Sequence, residues 1–186
     1  MFHDWLADDK FFEQLDREDA RIAARLKAGG CRFCGGRLDQ ADYPRKPRGG
    51  WVGAAGESLT RRRSCCCARE GCRRRATPAS LVFLGRRVYL GIAVVVGALR
   101  ALSPPGPMPP SRTVRRWLGW FRTELPSSAW LATVRGRLWP ALEPSEVLPD
   151  AVVERFSQSR PLGPALVATL ELLSPLSTAT ASSPSG

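Results

Sequence analysis

A single histidine, His3, in 186 residues argues against Ser–His–Asp and Cys–His nucleophile sets and multi-histidine metal sites. No glycine-rich phosphate loop is present either, so an enzyme is the least expected class. Long apolar runs are also lacking. The longest, residues 88–99, lies between Arg86, Arg87 and Arg100 and is twelve residues long, whereas a bilayer core requires roughly 20. It reads as a buried helix, and no membrane partner is expected. The opening residues, Met1-Phe2-His3-Asp4-Trp5, are acidic rather than basic-then-apolar, so no secretory leader is expected. Cysteines in such a chain point to metal rather than disulfides, and a cytoplasmic location is expected.

Acidic residues are scarce where they would matter most. Residues 1–20 hold seven (Asp4, Asp8, Asp9, Glu13, Asp16, Glu18, Asp19) against Lys10 and Arg17, and residues 141–186 hold five against two arginines. Residues 21–140 therefore carry a net +19 out of a whole-chain +11. A surface this basic repels itself or meets a polyanion, most often nucleic acid. The arginine runs at 61–63, 73–75 and 86–87 suit sequence-independent phosphate binding by counterion release.

Residues 2–28 predict an amphipathic helix, with Phe2, Trp5, Leu6, Phe11, Phe12, Leu15, Ile22, Ala23 and Leu26 on one stripe and Gly29-Gly30 ending it. Its acidic start could fold back over the basic middle. Residues 31–80 hold too few apolar side chains for an ordinary core and require a staple. The cysteines supply one. Cys31-Arg-Phe-Cys34-Gly-Gly is a C-x2-C turn that points two thiolates at one ion, and its glycines let backbone amides approach the sulfurs. In Cys65-Cys66-Cys67-Ala-Arg-Glu-Gly-Cys72, the last cysteine is the fourth ligand. Its partner is Cys67 through the shorter loop, with Cys66 as the alternative. Four thiolates form a closed, structural Zn2+ site. The chain between Cys34 and Cys67 then forms a hairpin carrying the basic Tyr43-Pro-Arg45-Lys46-Pro-Arg48 loop.

Beyond the cysteines, residues 81–102 predict a short strand and a buried helix from about Arg87. Five prolines in 103–110 forbid helix. Ser111 then caps a helix running to about Leu125, and Ser127 or Ser128 caps another to Leu138. Residues 141–160 read as loop with one helical turn, 164–173 as a last helix, and the tail from Pro175 as disordered. In Ser111-Arg112-Thr113-Val114-Arg115-Arg116-Trp117-Leu118-Gly119-Trp120-Phe121-Arg122, Val114, Trp117, Leu118 and Phe121 face the preceding helix and the arginines face away. Helix, constrained turn and basic helix is the arrangement of a helix-turn-helix. It places Arg112, Thr113 and Arg116 at base edges, with Arg115 and Arg122 on phosphate. Trp117 and Trp120 are either core residues or stacking platforms for a single strand.

Cys31-x2-Cys34, Cys67-Ala-Arg-Glu-Gly-Cys72-Arg73-Arg74-Arg75 and the 111–120 helix together resemble the N-terminal DNA-binding region of insertion-sequence transposases, a zinc β-ribbon followed by a helix-turn-helix. The resemblance covers roughly residues 28–125. Together with the patterns read outside it, the expected fold is small and α+β: an acidic N-terminal helix (1–28), a zinc ribbon (29–80), a helix-turn-helix-like helical bundle (81–140), and a C-terminal helix with its tail (141–186). The resemblance itself implies the ribbon and the helix-turn-helix. It also implies recognition of duplex DNA by Arg45, Lys46, Arg48, Arg73, Arg74 and Arg75 together with the basic helix. The family's carboxylate-bearing catalytic domain has no counterpart after Leu125. The implied function is therefore DNA binding without strand transfer, alongside a separate catalytic transposase subunit or as a homo-oligomer. An RNA-binding or ribosome-associated zinc-ribbon protein and a zinc-stapled protein-interaction adaptor are the alternatives.

Overall fold

The computed structural model describes residues 8–45, 57–84, 90–99 and 111–178. Lys46, Arg48, Arg86, Arg87, the proline-rich 103–110 segment, residues 2–7 of the first expected helix and the tail beyond Thr178 lie outside them. The described residues form six α-helices and two small antiparallel sheets, a mixed α+β architecture. None of these helices is long and apolar enough to cross a membrane.

The first helix, α1 (Asp9–Gly29), starts where the Asp8 carboxylate accepts the Lys10 N–H. It ends at Gly30, whose φ of 72° is the left-handed conformation glycine tolerates best. Positions 11, 15, 19, 22 and 26 fall on one side at helical spacing. Four of them are apolar, and the fifth, Asp19, is buried in the same stripe. Phe11, Phe12 and Leu15 enter the main core, while Leu26 packs on the cysteine cluster. The helix is thus the spine joining two cores.

Strands β1 (Leu38–Gln40) and β2 (Tyr43–Pro44) run out along one arm, and β3 (Arg61–Arg62) and β4 (Cys65–Cys67) return. Tyr43 faces Arg62, and Leu38 faces Cys67. Between the two ladders the Asp42 carboxylate takes the Ser64 N–H in place of a strand carbonyl. A fifth strand, β5 (Arg75–Ala76), pairs with β4 to complete a β1-β4-β5 sheet. This sheet buries only Leu38 and cysteines, with Leu26 and Ala76 packed alongside. Such a cluster is too small to hold a module together by hydrophobic burial alone.

The second core is helical. The buried helix expected from Arg87 spans only Gly91–Ala98 (α2), since Leu90 is still extended and bridges back to Phe83. Helix α3 (Ser111–Gly119) begins with Ser111 inside it rather than as its cap. It then widens into a π-turn over Trp120–Glu124, where the Leu125 N–H reaches the Trp120 carbonyl. The reason is periodicity. Trp117, Phe121 and Leu125 recur every four residues, which on an α-helix drifts by about 80° over eight residues. A wider turn keeps all three buried. Trp117 and Trp120 both belong to this core, Trp120 edge-on to Phe121 at 4.9 Å.

Helix α4 (Ala129–Val134) is capped by the Ser128 hydroxyl and continues as a 3-10 turn to Arg137. Two expectations fail beyond it. The 141–160 segment contains a two-turn helix, α5 (Asp150–Ser157), packed on α6 (Leu162–Leu173) through Ala151, Val152 and Val153. Prolines at 140, 144 and 149 mask this pattern in the sequence, although all precede the helix. Arg155 straps the preceding loop down, donating to the carbonyls of Pro140 and Ala141 and to Glu146. The tail from Pro175 is also not free at its start. Residues Ser174–Ser177 form a 3-10 turn that buries Leu176 and Ser177.

Ser177 closes a buried polar knot. Its hydroxyl accepts the Ser80 N–H at 2.8 Å and an Arg62 guanidinium N–H at 3.4 Å. Arg62 also donates to the Pro78 carbonyl, and Asp19 accepts from the Ser80 hydroxyl and the Leu81 N–H. Burial raises the Asp19 carboxyl above its ordinary range, against the pull of these donors and of the Arg62 charge. The same burial lowers the Arg62 guanidinium.

Candidate metal centre

Two turns bring four cysteines together. In the first, which follows α1, the Gly35 N–H returns to the Cys31 carbonyl at 2.7 Å and the Cys31 N–H reaches the Gly36 carbonyl at 2.8 Å. In the second, between β4 and β5, the Cys72 and Arg73 N–H groups return to the Arg69 carbonyl. Cys67 and Cys72 thus sit at the two ends of one hairpin turn, as Cys31 and Cys34 sit at the ends of the other.

The sulfurs of Cys31, Cys34, Cys67 and Cys72 lie within 4.8 Å of one another, a group that could hold a metal ion. Cys34 and Cys67 are 3.5 Å apart, and Cys31 and Cys72 3.7 Å. A tetrahedron with metal–sulfur bonds of 2.3 Å has edges of about 3.8 Å. A disulfide would bring sulfurs to about 2.05 Å, and all six cysteines are free thiols. The spacing fits four thiolates around one small dication.

The backbone is arranged for charged sulfur. Each sulfur accepts an N–H from the residue two positions on: Cys31 from Phe33, Cys34 from Gly36, Cys67 from Arg69 and Cys72 from Arg74. The Phe33 amide leads in lowering the Cys31 thiol to about 7, and the Gly36 amide lowers Cys34. The Arg69 amide pulls in the same direction on Cys67, but burial and the three neighbouring thiols outweigh it and push that thiol to about 12. Against the Arg74 amide and a smaller pull from Cys67, burial and the Cys34 and Cys31 thiols raise Cys72. With a cation among them, all four sulfurs at these separations could carry negative charge. Gly36 is part of the fit: a Cβ there would stand 3.2 Å from the Cys67 sulfur and 3.3 Å from that of Cys34.

Strand alternation resolves the three-cysteine run. Cys67 joins the cluster. Cys66 points the other way, its thiol donating to the Arg73 carbonyl at 3.2 Å, and so is not its substitute. Cys65 is buried opposite Ala76, and burial raises its thiol, with Asp42 adding to the rise.

The expected arginines divide into exposed and engaged groups. Arg112, Arg115, Arg116 and Arg122 are exposed on α3 and its π-turn, with Thr113 half-buried. Arg73 and Arg74 are exposed on the second turn. Arg75, by contrast, donates to the Ala41 carbonyl and the Ser64 hydroxyl, and Arg45 lies over the Tyr43 ring. Nor is the 61–63 run a free phosphate cluster: Arg62 is buried, and Arg63 grips both oxygens of Asp16 at 2.8 and 2.9 Å. Sequence reasoning missed Arg32, Phe33 and Arg69. Arg69 ties the two turns together through the Cys34 carbonyl, and Phe33 stands half-exposed with Arg32 and Arg74 against its ring. Only the position of Phe33 inside a C-x2-C turn signals this. No family model, curated protein or solved structure matches the chain.

Proposed function

We propose that the protein is a zinc-stapled, non-catalytic DNA-binding protein, related to the DNA-binding regions of transposases, that grips duplex DNA with arginines displayed on its two cysteine turns and on α3. The observation that carries this reading is the convergence of Cys31, Cys34, Cys67 and Cys72 beside exposed Arg32, Arg73 and Arg74. With all four positions filled by sulfur, the bound zinc supplies cross-linking rather than an open coordination site, and it fixes the β1-β4-β5 sheet as a ribbon.

The helical half supports the same reading. Helices α2 and α3 pack together, and α3 with its π-turn buries Trp117 and Phe121 while exposing Arg112, Arg115, Arg116 and Arg122. In a helix-turn-helix the corresponding helix lies in the major groove, with Arg112 and Arg116 toward the bases and Arg115 and Arg122 toward phosphates. The kinship with transposases rests on the sequence motifs.

Titration of the zinc-loaded protein onto duplex DNA across a salt series tests the proposal. Each phosphate neutralised contributes about 0.9 to the fall of log K with log salt, so engagement of four to six arginines gives a slope of roughly −4 to −5. Absence of binding at low salt, or displacement of the duplex by a small excess of structured RNA, rejects it.

A further inference from the structure

Phe33 is half-exposed, 49% accessible, one of two large apolar side chains among the described residues that stand open to solvent. Two guanidinium groups lie against its ring: Arg32 with its central carbon 4.7 Å from the ring centroid, and Arg74 at 4.2 Å. Arg32 comes from the first cysteine turn and Arg74 from the second. Neither has a carboxylate partner among the described residues. Two like charges held on one small ring repel, and each cation–π contact at an exposed site returns only a little of that energy. An anion between them converts the repulsion into attraction.

Among the described residues neither guanidinium makes a hydrogen bond, so their N–H groups stay open to the two free oxygens of a phosphodiester. Contact with the ring also restrains side chains that would otherwise lose rotamer freedom on binding. We propose that Arg32 and Arg74, carried on Phe33, form a phosphate clamp for the nucleic-acid backbone that is assembled only when the two cysteine turns are joined. The coupling to the metal centre is direct. The Phe33 amide donates to the Cys31 sulfur and the Arg74 amide to the Cys72 sulfur. The backbone groups that hold the ligands therefore set the ring and one guanidinium in place. Separating the turns leaves Arg74 without its ring. The clamp deepens the DNA-binding reading and rests on it.

The test uses the full, zinc-loaded chain, a labelled duplex of arbitrary sequence about 20 base pairs long, and a salt series. Arg32→Gln and Arg74→Gln are each expected to reduce the salt slope by about 0.9, and the double variant by about 1.8, equally on unrelated sequences. Phe33→Leu keeps both charges but not the ring, and is expected to weaken binding about five- to thirty-fold with a smaller change in slope. Bound zinc per chain is measured in parallel and is expected to remain at one. If the wild type binds duplex but the variants match it in affinity and slope, the clamp is wrong and the DNA-binding proposal stands. If Phe33→Leu abolishes binding to a single strand while both arginine variants keep the wild-type slope, Phe33 stacks on bases and the clamp is again wrong. Loss of zinc in the double variant assigns the arginines to neutralising the thiolates and overturns the clamp. If the wild type binds no nucleic acid at low salt, the DNA-binding proposal fails, and the clamp with it.

Discussion

Adding one methyl group to Gly36 tests the metal centre more sharply than removing a ligand. The Cβ of alanine would lie 3.2 Å from the Cys67 sulfur, 3.3 Å from the Cys34 sulfur and 3.3 Å from the Arg69 Cβ. Comfortable non-bonded contacts begin at about 3.5 Å, so two ligands from different turns must each move by a few tenths of an ångström. Overpacking of this kind costs about 1–3 kcal/mol, which lowers metal affinity about 5- to 150-fold at 1.36 kcal/mol per decade. Gly35 is the control. Its φ is +68° with nothing within 4 Å of an added Cβ, so Gly35→Ala strains the backbone by about 1–2 kcal/mol without touching a sulfur. Cobalt-loaded protein reports the difference through the visible absorption of a tetrahedral thiolate site and its displacement by Zn2+. Gly36→Ala is expected to shift the spectrum and weaken binding. Gly35→Ala is expected to lower thermal stability while preserving the shape of the spectrum. Binding by Gly36→Ala within twofold of wild type, with an unaltered spectrum, refutes the geometry.

Cys65→Ala and Cys66→Ala are expected to retain one metal per chain by elemental analysis, whereas Cys67→Ala and Cys72→Ala lose it; retention in Cys67→Ala would overturn the assignment. Asp19→Ala leaves the buried Ser80 hydroxyl and Leu81 N–H without their acceptor and is expected to cost about 2–5 kcal/mol in urea unfolding; a loss below about 1 kcal/mol would show that these donors find other partners. Two carboxylates are expected to act oppositely with pH. The raised Asp19 group favours folding most when protonated, below its ordinary value of 3.8, and that contribution is lost as pH rises through its folded value. Glu146, lowered first by its hydrogen bond from Arg155, stabilises above its ordinary 4.5, and that contribution is lost as pH falls through its folded value. Glu146→Gln should therefore weaken the protein near neutrality by about 1–2 kcal/mol and flatten its acid limb; an unchanged limb counts against the strap.

What was legible in the sequence follows from which signals are local. Two cysteine pairs at short spacing specify turns that can meet at one ion, and Leu38 with the cysteines makes up almost the whole burial of that module. The α1 stripe, the buried α2 segment and the Ser128 cap are likewise carried by neighbours along the chain. Long-range partnerships were not legible. Nothing near Arg62 announces that its guanidinium turns inward toward Pro78 and Ser177 while Arg61 stays exposed. Helix α5 was obscured because prolines that end one element can also precede the next. The acidic helix is expected to fold back over the basic middle; Phe11, Phe12 and Leu15 seat it in the core, Asp16 pairs with Arg63, and Asp19 accepts from Ser80 and Leu81, partnerships that no local pattern announces.

The Ser177 knot has a bearing on how the molecule is made. Ser80 waits for a hydroxyl 97 residues downstream, and Arg62 for one 115 residues downstream. A nascent chain can close its cysteine turns soon after Cys72 emerges, but the helical half stays unsealed until synthesis has passed Ser177. Messages cut short anywhere in the last helix would thus yield chains with a finished metal module attached to an open core, the kind of product that cellular proteases remove first.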